Sequence, residues 1–450
     1  MGNDAVGDPG SRVSRFDVAI VGLGPTGAVL ANLLGRRGVR TVVFEQSAAA
    51  YAQPRACHLD AEVARVLQQC GLRASLSAVL TVSTGMEYVS TGGRRLFTFE
   101  GFEREPLLGW CEDYVFLQPD LDALIRSGLE TLPSVEVRLG AEAPPVTELL
   151  DLADWVVGCD GASSRVRESL GISLDDLGYD EDWLVIDVAV HDATQPALPT
   201  MIQQVCDPAR LATFVPSHGS HRRWEFLVHD DEHVDPWQLL QPWGLTPQHA
   251  TLLRSARYRF HALIADHWRG GPDGRVFLAG DAAHQMPPFM GQGMCSGIRD
   301  AANLAWKLAA AVGGAEATLL DSYQRERGPH TRRVISLSIE AGQLLGRLAD
   351  DDAAGRPLRL PEPAAQDPRL WSRLPPLELG GEYPIGHLVP QPTVDGVPLD
   401  ELLGDDWVWV AADASFLAPD GRSVVVCPSA AMGCSAVLVR PDRYVAAAVA

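Results

Sequence analysis

The sequence predicts an α/β protein with a Rossmann-like core, an inserted β-rich layer and a small appended module. Three observations predict it. An apolar strand at Phe16–Val21 runs into Gly22-Leu23-Gly24-Pro25-Thr26-Gly27, then an Ala- and Leu-rich helical stretch, then a second strand over 40–44 that ends in Glu45. Two later strands, one through Trp155-Val156-Val157 and one over 275–279, run into polar or glycine turns at Cys159-Asp160-Gly161 and Gly280-Asp281. Between them lie stretches of alternating character, such as Arg223-Trp224-Glu225-Phe226-Leu227-Val228, which suit a sheet with one covered face.

The 450 residues suggest two to four domains at roughly 100 to 200 residues each. Apolar residues at 46% and charged residues at 21% are ordinary globular values and argue against disorder across the chain. With 37 basic against 58 acidic residues the net charge is -21, which repels phosphate backbones and anionic lipid surfaces. Nucleic acid and membrane are therefore poor partners. No apolar run approaches the roughly 18 residues that span a bilayer. Residues 1–15 lack the basic and apolar regions of a signal peptide and read as a flexible leader, so a cytoplasmic enzyme is expected. Eight cysteines, at 57, 70, 111, 159, 206, 295, 427 and 434, form no Cys-x-x-Cys pair and read as reduced packing thiols, with no metal site expected. Lys307 is the only lysine, a bias that carries no functional reading.

The first element is the most informative. Gly22 to Gly27 is a complete G-x-G-x-x-G between a strand and a helix. Its glycines permit a tight turn, backbone approach to a pyrophosphate and close helix packing, while the helix N-terminus offers donors and positive potential. Pro25 and Thr26 complete the turn, and Glu45, with Gln46 beside it, stands where a ribose hydroxyl would donate. The turn alone does not separate NAD from FAD.

The other two turns do. Asp160-Gly161-Ala162-Ser163-Ser164-Arg165-Val166-Arg167 and Gly280-Asp281-Ala282-Ala283-His284 resemble the two further fingerprints of class A flavoprotein monooxygenases. The chain resembles aromatic hydroxylases of the para-hydroxybenzoate hydroxylase fold, and within them the 3-(3-hydroxyphenyl)propionate hydroxylases and polyketide-tailoring hydroxylases. Supporting stretches are Pro54-Arg55-Ala56 with Asp60, Phe116 to Leu121, and Asp321-Ser322-Tyr323-Gln324-Arg325-Glu326-Arg327. Arg440-Pro441-Asp442-Arg443-Tyr444 resembles the close of the family's thioredoxin-like C-terminal domain. The resemblance implies an FAD-binding domain from 16–75, 118–177 and 266–345, and a substrate-binding β-rich domain from 76–117 and 178–265. A Pro-rich linker over 346–379 and an abbreviated thioredoxin-like region over 380–450 follow, the latter without a redox cysteine pair. Segment 139–154 is shorter than in the family and leads almost directly into the second motif.

By resemblance the activity is hydroxylation of a phenolic or polycyclic aromatic molecule with NAD(P)H and O2, through a C4a-hydroperoxyflavin. The partners implied are a small aromatic substrate and O2, and the oligomeric state stays open. A Baeyer-Villiger-type oxygenase and a flavin-binding protein without oxygenase activity are the alternatives. Asp281 would accept from a ribityl hydroxyl of FAD. Pro288, Gly291, Gly293 and Met294 would bring backbone donors and a helix N-terminus to the flavin edge that becomes anionic on reduction. Arg55, Gln118, Asp160 and Arg167 match positions near the cofactor. The catalytic base is unassigned, with His58, Tyr114, Tyr258 and His284 as candidates by type and His284 expected to be structural. Substrate contacts are expected from Gln203, Thr213, Arg222 and Trp224 and from the Phe289-Met290 loop.

Overall fold

The computed structural model describes residues 16–100, 107–191, 197–229, 232–362 and 374–450. The expected leader over 1–15 and part of the Pro-rich stretch lie outside them. Phe16–Val21 forms strand β1 because its apolar residues are buried on both faces, as a central parallel strand requires. Helix α1, Pro25–Arg36, follows with proline in its first turn, where the missing N–H would have no partner. Strand β2, Thr41–Glu45, returns parallel to β1. On the other side β1 pairs in parallel with Ala153–Gly158, which pairs with Val276–Leu278, while β2 pairs with Val135–Leu139. Arg269–Gly270 adds an antiparallel edge. The sheet thus reverses its direction of growth at β1, and the carboxyl ends of four of its strands deliver Gly22, Glu45, Asp160 and Asp281 to one edge.

Segment 139–154 departs from the expected direct run into the second motif. Val146–Leu152 is a helix, buried through Leu149 and Leu150, that makes the crossover between Val135–Leu139 and Ala153–Gly158. The two strands are parallel but not adjacent, with β1 and β2 between them, so this helical segment carries the chain from the edge of the sheet across to the far side of β1.

The second sheet has eight strands. Its spine is the antiparallel pair Leu174–Val190 and Ala250–Ala265, extended outward through His221–Leu227, Ala212–Val215, Ile202–Cys206, Gly85–Ser90 and Arg95–Glu100. One face carries Ile186, Val188, Phe214, Trp224 and Phe226 into a separate core closed by Leu240 of the short helix Pro236–Leu240 and by Leu245. The opposite face turns toward the first sheet. A three-stranded sheet of His58–Asp60, Asp113–Phe116 and Leu80–Val82 sits between the two.

Gln292–Val312 and Ser322–Ala353 are long helices whose buried faces join the main core, the former packed on α1. The C-terminal sheet runs Val424–Val426, Val408–Ala411, Ala436–Val439, Val445–Val449, a parallel pair followed by an antiparallel hairpin. Only turns and bends connect the parallel pair, where a crossover helix would normally lie. This region is tied to the core by buried ion pairs. Arg65 grips Asp400 at 2.6 and 2.8 Å, and Arg440 grips Glu326 at 2.7 Å and Asp442 at 2.7 and 2.9 Å. Lys307, the lone lysine, is fully buried in the same seam, 2.8 Å from Glu326. All eight cysteines are free thiols.

Candidate functional site

A cleft of about 1480 Å³ opens where the two sheets face each other. That exceeds the roughly 300 to 1,000 Å³ of a pocket for one small molecule and leaves room for a dinucleotide with an aromatic molecule beside it. At one end it is walled by Gly22, Gly24, Pro25, Thr26, Glu45, Gln46, Arg55, Gln118 and Asp160. Asp281, Pro288, Gly291, Gly293 and Met294 complete that end. Segments as far apart in the sequence as Gly22 and Met294 are thus brought to one wall.

The three loop glycines do different things. Gly22 has φ +98°, and a Cβ there would lie 2.4 Å from the Cys159 carbonyl oxygen. Gly27, which is not on the wall, lets α1 close on the loop, since a Cβ would lie 2.0 Å from the Gly22 oxygen. At Gly24 a Cβ would meet no protein atom within 4 Å and would stand in the cleft. The loop is therefore built to keep side chains out of the space in front of it, which is what a pyrophosphate on the N-terminus of α1 needs.

Partners refine the other expectations. Glu45 accepts from the backbone N–H of Leu23 and of Ser47, both at 2.9 Å, so it holds the loop in shape as well as facing the cleft. Gln118 accepts from the N–H groups of Arg55 and Ala56 at 2.8 and 2.7 Å and thereby fixes the segment that presents Arg55. Arg55 extends to the cleft, stacked over Tyr51 at 4.3 Å. Asp160 accepts from Ser164 Oγ at 2.5 Å and from the Val166 N–H at 3.1 Å, capping the turn of the second motif. Arg167, expected near the cofactor, is buried and donates to the carbonyls of Ala282 and Ala162 at 3.1 and 3.0 Å. It clamps the second motif to the third. Asp281 is open to the cleft. Gln292–Val312 begins with Gly291 in the left-handed region and no side-chain cap, and its first turn, through Gly293 and Met294, lines the cleft.

At its other end the cleft is walled by Val185, Arg223, Glu225, Arg254, Tyr258 and Phe260. None of the six residues expected to touch substrate is on that wall. Arg222 and Trp224 alternate with Arg223 and Glu225 along His221–Leu227 and so point to the opposite face. Trp224 is fully buried against Phe214 and Trp243, with centroids 4.9 and 5.7 Å away. Arg222 donates to the carbonyls of Gly219 and His221 at 2.8 and 2.6 Å. Gln203 shares the outward face and donates to Glu87 at 2.7 Å. Thr213 lies opposite Glu225 on the inward face, but it donates to Gln204 at 2.7 Å and stays behind the wall. Phe289 packs edge-on against Trp183 and Tyr179, and Met290, at φ +67°, joins the main core.

Among the candidate bases, His58 and Tyr258 reach the cleft, whereas Tyr114 and His284 do not. His58 is bonded to Asp113 through Nε2 and lies 3.4 Å from the Gly291 oxygen through Nδ1. Burial disfavours its cation, but the Asp113 carboxylate outweighs burial and raises its pKa well above the usual histidine value. A charged imidazole has no lone pair to accept a proton. Tyr114 accepts from the Cys111 N–H at 2.8 Å, and His284 binds Asp300 at 2.6 Å, so both are structural. Three further carboxyls reach the cleft unforeseen, Asp122, Glu225 and the exposed Glu142, which pairs with Arg165. Asp122, four residues after Gln118 on one helix, is lifted to about 6 by burial, against the pull of Arg126. Glu225 is also raised by burial, against the pull of Arg223. Glu225 was legible only as the polar half of an alternation.

A Rossmann-type cleft at a switch point, facing a β wall of aromatic and charged groups, defines a dinucleotide-binding enzyme with room for a second, smaller molecule. The FAD binding domain family matches residues 15–151 and 152–338, and the chain belongs to it. A probable NADH-specific resorcinol 4-hydroxylase of Rhodococcus jostii is 37% identical over 433 residues, covering 90% of this chain and 80% of its own. A 3-(3-hydroxy-phenyl)propionate/3-hydroxycinnamic acid hydroxylase of a Mycobacterium species is 38% identical over 434 residues, covering 86% and 74%. In fold the chain is similar to aklavinone-11 hydroxylase, solved with FAD and aklavinone, at a TM-score of 0.76 and 23% identity over 97% of this chain and 96% of that one. The protein is an FAD-dependent aromatic monooxygenase. These comparisons support hydroxylation and give no support to the Baeyer-Villiger or non-oxygenase alternatives.

Proposed function

We propose that the protein hydroxylates a small phenol, of the size of a resorcinol or a hydroxyphenylpropionate, held between the second sheet and the loop over 286–288. The observation that carries this reading is the continuity of one cleft from the glycine loop to the wall of Val185, Glu225, Tyr258 and Phe260. In this reading Gly22, Gly24 and Thr26 receive the pyrophosphate, Glu45 a ribose hydroxyl, Asp281 the ribityl chain and Arg55 a phosphate. The helix N-terminus at Gly293 and Met294 would place positive potential beside the flavin ring. FAD, when bound, supplies the activation of O2 by electrons taken from the nicotinamide. The protein's own task is to orient the phenol and keep water away from the reacting face, which the apolar side chains of Val185, Phe260, Met286 and Pro288 suit.

We divide the chain as the sequence suggests, with the cofactor on 16–75, 118–177 and 266–345 and the substrate wall on the second sheet. We also place it in the cytoplasm, which eight unpaired thiols support. No helix among the described residues is long and apolar enough to cross a membrane. The test is direct. Purified protein should show bound-flavin absorption and should oxidise NADH or NADPH faster when resorcinol or 3-(3-hydroxyphenyl)propionate is added, giving a product heavier by one oxygen atom. A protein that cannot be reconstituted with FAD, or whose NAD(P)H oxidation no phenol stimulates, would remove the reading.

A further inference from the structure

We propose that Glu225 is the proton acceptor for the phenolic hydroxyl of the substrate, an inference that rests on the hydroxylase reading above. The placement follows from the alternation of His221–Leu227, which turns Glu225 into the cleft while Trp224 anchors the opposite face. Its setting is poor in water. Val185 lies directly across the ladder, Tyr258 and Phe260 stand on the strand beyond, and only 13% of the Glu225 side chain is exposed. Its nearest cation is Arg223, at 3.7 Å. That guanidinium is already committed to Asp187 at 2.8 and 3.2 Å and to the carbonyl oxygens of Pro54 and Arg55.

Among the described residues no donor hydrogen-bonds the Glu225 carboxylate. A largely buried carboxylate that opens into a cleft without a donor is a poor structural element and a good site for an O–H group. A phenol supplies that group. The phenolic O–H bond breaks and a carboxyl O–H bond forms. The electron pair stays on the phenolic oxygen and conjugates into the ring, where it raises electron density at the ortho and para carbons. The proton then passes from Glu225 to water at the cleft mouth.

The charged and titratable groups around Glu225 favour the transfer. Asp187 on the neighbouring strand, Cys57 on the loop before His58–Asp60, and Tyr179 surround it with Arg223, while Arg254 and Tyr258 face it from the far wall. Burial first, then Asp187, raise its carboxyl above the ordinary range against the pull of Arg223. That moves it closer to the pKa of a phenol, where proton transfer is more efficient. Tyr258 brings a hydroxyl that can donate a hydrogen bond to the phenolic oxygen.

The experiment compares wild type, Glu225→Gln and Glu225→Asp, each loaded with FAD and each rate expressed per bound flavin. Ultraviolet difference spectra of bound resorcinol and 3-(3-hydroxyphenyl)propionate are recorded against pH. Wild type should bind the probe as phenolate below the pH at which the free phenol ionises. Glu225→Gln should bind it as neutral phenol and lose about 100-fold or more in hydroxylation, and Glu225→Asp should recover part of both. Glu225→Gln within about threefold of wild type with an unchanged pH profile would overturn the proposal. Wild type that binds only neutral phenol up to the free phenol's own pKa would overturn it without any variant. Wild type that hydroxylates neither probe would instead remove the reading on which the proposal stands.

Discussion

At Gly24 and Gly27, three residues apart in one motif, the same substitution has opposite meanings. A Cβ on Gly24, whose φ is -69°, would enter open cleft, whereas one on Gly27 would lie 2.0 Å from a backbone oxygen. Gly24→Val should therefore melt within about 2 °C of wild type yet bind FAD at least about tenfold more weakly, read by thermal denaturation and flavin titration. Gly27→Val should lose at least about 2 kcal/mol of stability, because the neighbour that must yield is backbone. Equal FAD affinity in wild type and Gly24→Val would remove the pyrophosphate assignment. Asp281→Ala makes the companion test, with flavin retained after gel filtration as its readout. Its carboxylate faces the cleft rather than a structural partner, so the fold should survive while FAD is lost more readily.

The strand His221–Leu227 acts at the next scale, since one element supplies a core on one face and the site on the other. Trp224 fills the core side completely. Trp224→Ala should cost about 3 to 5 kcal/mol in urea unfolding, the range for truncating a large buried aromatic. A loss under about 1 kcal/mol would mean that the second core does not depend on it. The functional consequence runs through register. If the strand loses its anchor, Arg223 and Glu225 lose their common orientation, because a slip of one residue exchanges the two faces.

For the whole molecule, the seam between the C-terminal sheet and the cofactor-side core is ionic, and its stability should depend on pH. Glu326 is buried, which would raise its pKa, but Arg440 and then Lys307 overcome that and hold it at about 2, below its ordinary 4.5. A folded value below the unfolded one means that the unfolded chain binds more protons between them. The contribution, about 3 kcal/mol, is therefore fully present above pH 4.5 and fades as pH falls toward 2. Lys307 is lowered as well, to about 8 from 10.5, by burial that outweighs the pull of Glu326. The unfolded chain again binds the extra proton, so stability rises as pH goes from 8 to 10.5. Replacing Glu326 by Gln should flatten the acid limb of a stability-against-pH curve measured by urea unfolding. An acid limb with the same slope in the variant would place the sensitivity elsewhere.

What the sequence by itself determined was whatever depends on near neighbours. The glycine turn, proline in the first turn of α1, the helix from Gln292 and the alternation of the inserted strands are imposed by φ preferences, missing donors and periodicity within about ten residues. Glu45 and Asp281 could be read as site residues for the same reason, since each ends a recognisable strand. Tertiary structure decided what periodicity leaves open. An alternating strand has two faces, and only the pairing with Leu174–Val190 and the cover of Pro236–Leu240 put Trp224 in a core and Glu225 in the cleft. Aromatic and cationic side chains at 222 and 224 attracted the substrate role by type, while the alternate residues Arg223 and Glu225 hold the wall. Lys307, silent in the sequence, is a buried partner of Glu326 because a sheet formed more than 100 residues later closes over it and brings Arg440 to the same carboxylate. Such placements rest on pairings between distant segments, and the free energy that selects them is spread over contacts that no local stretch contains.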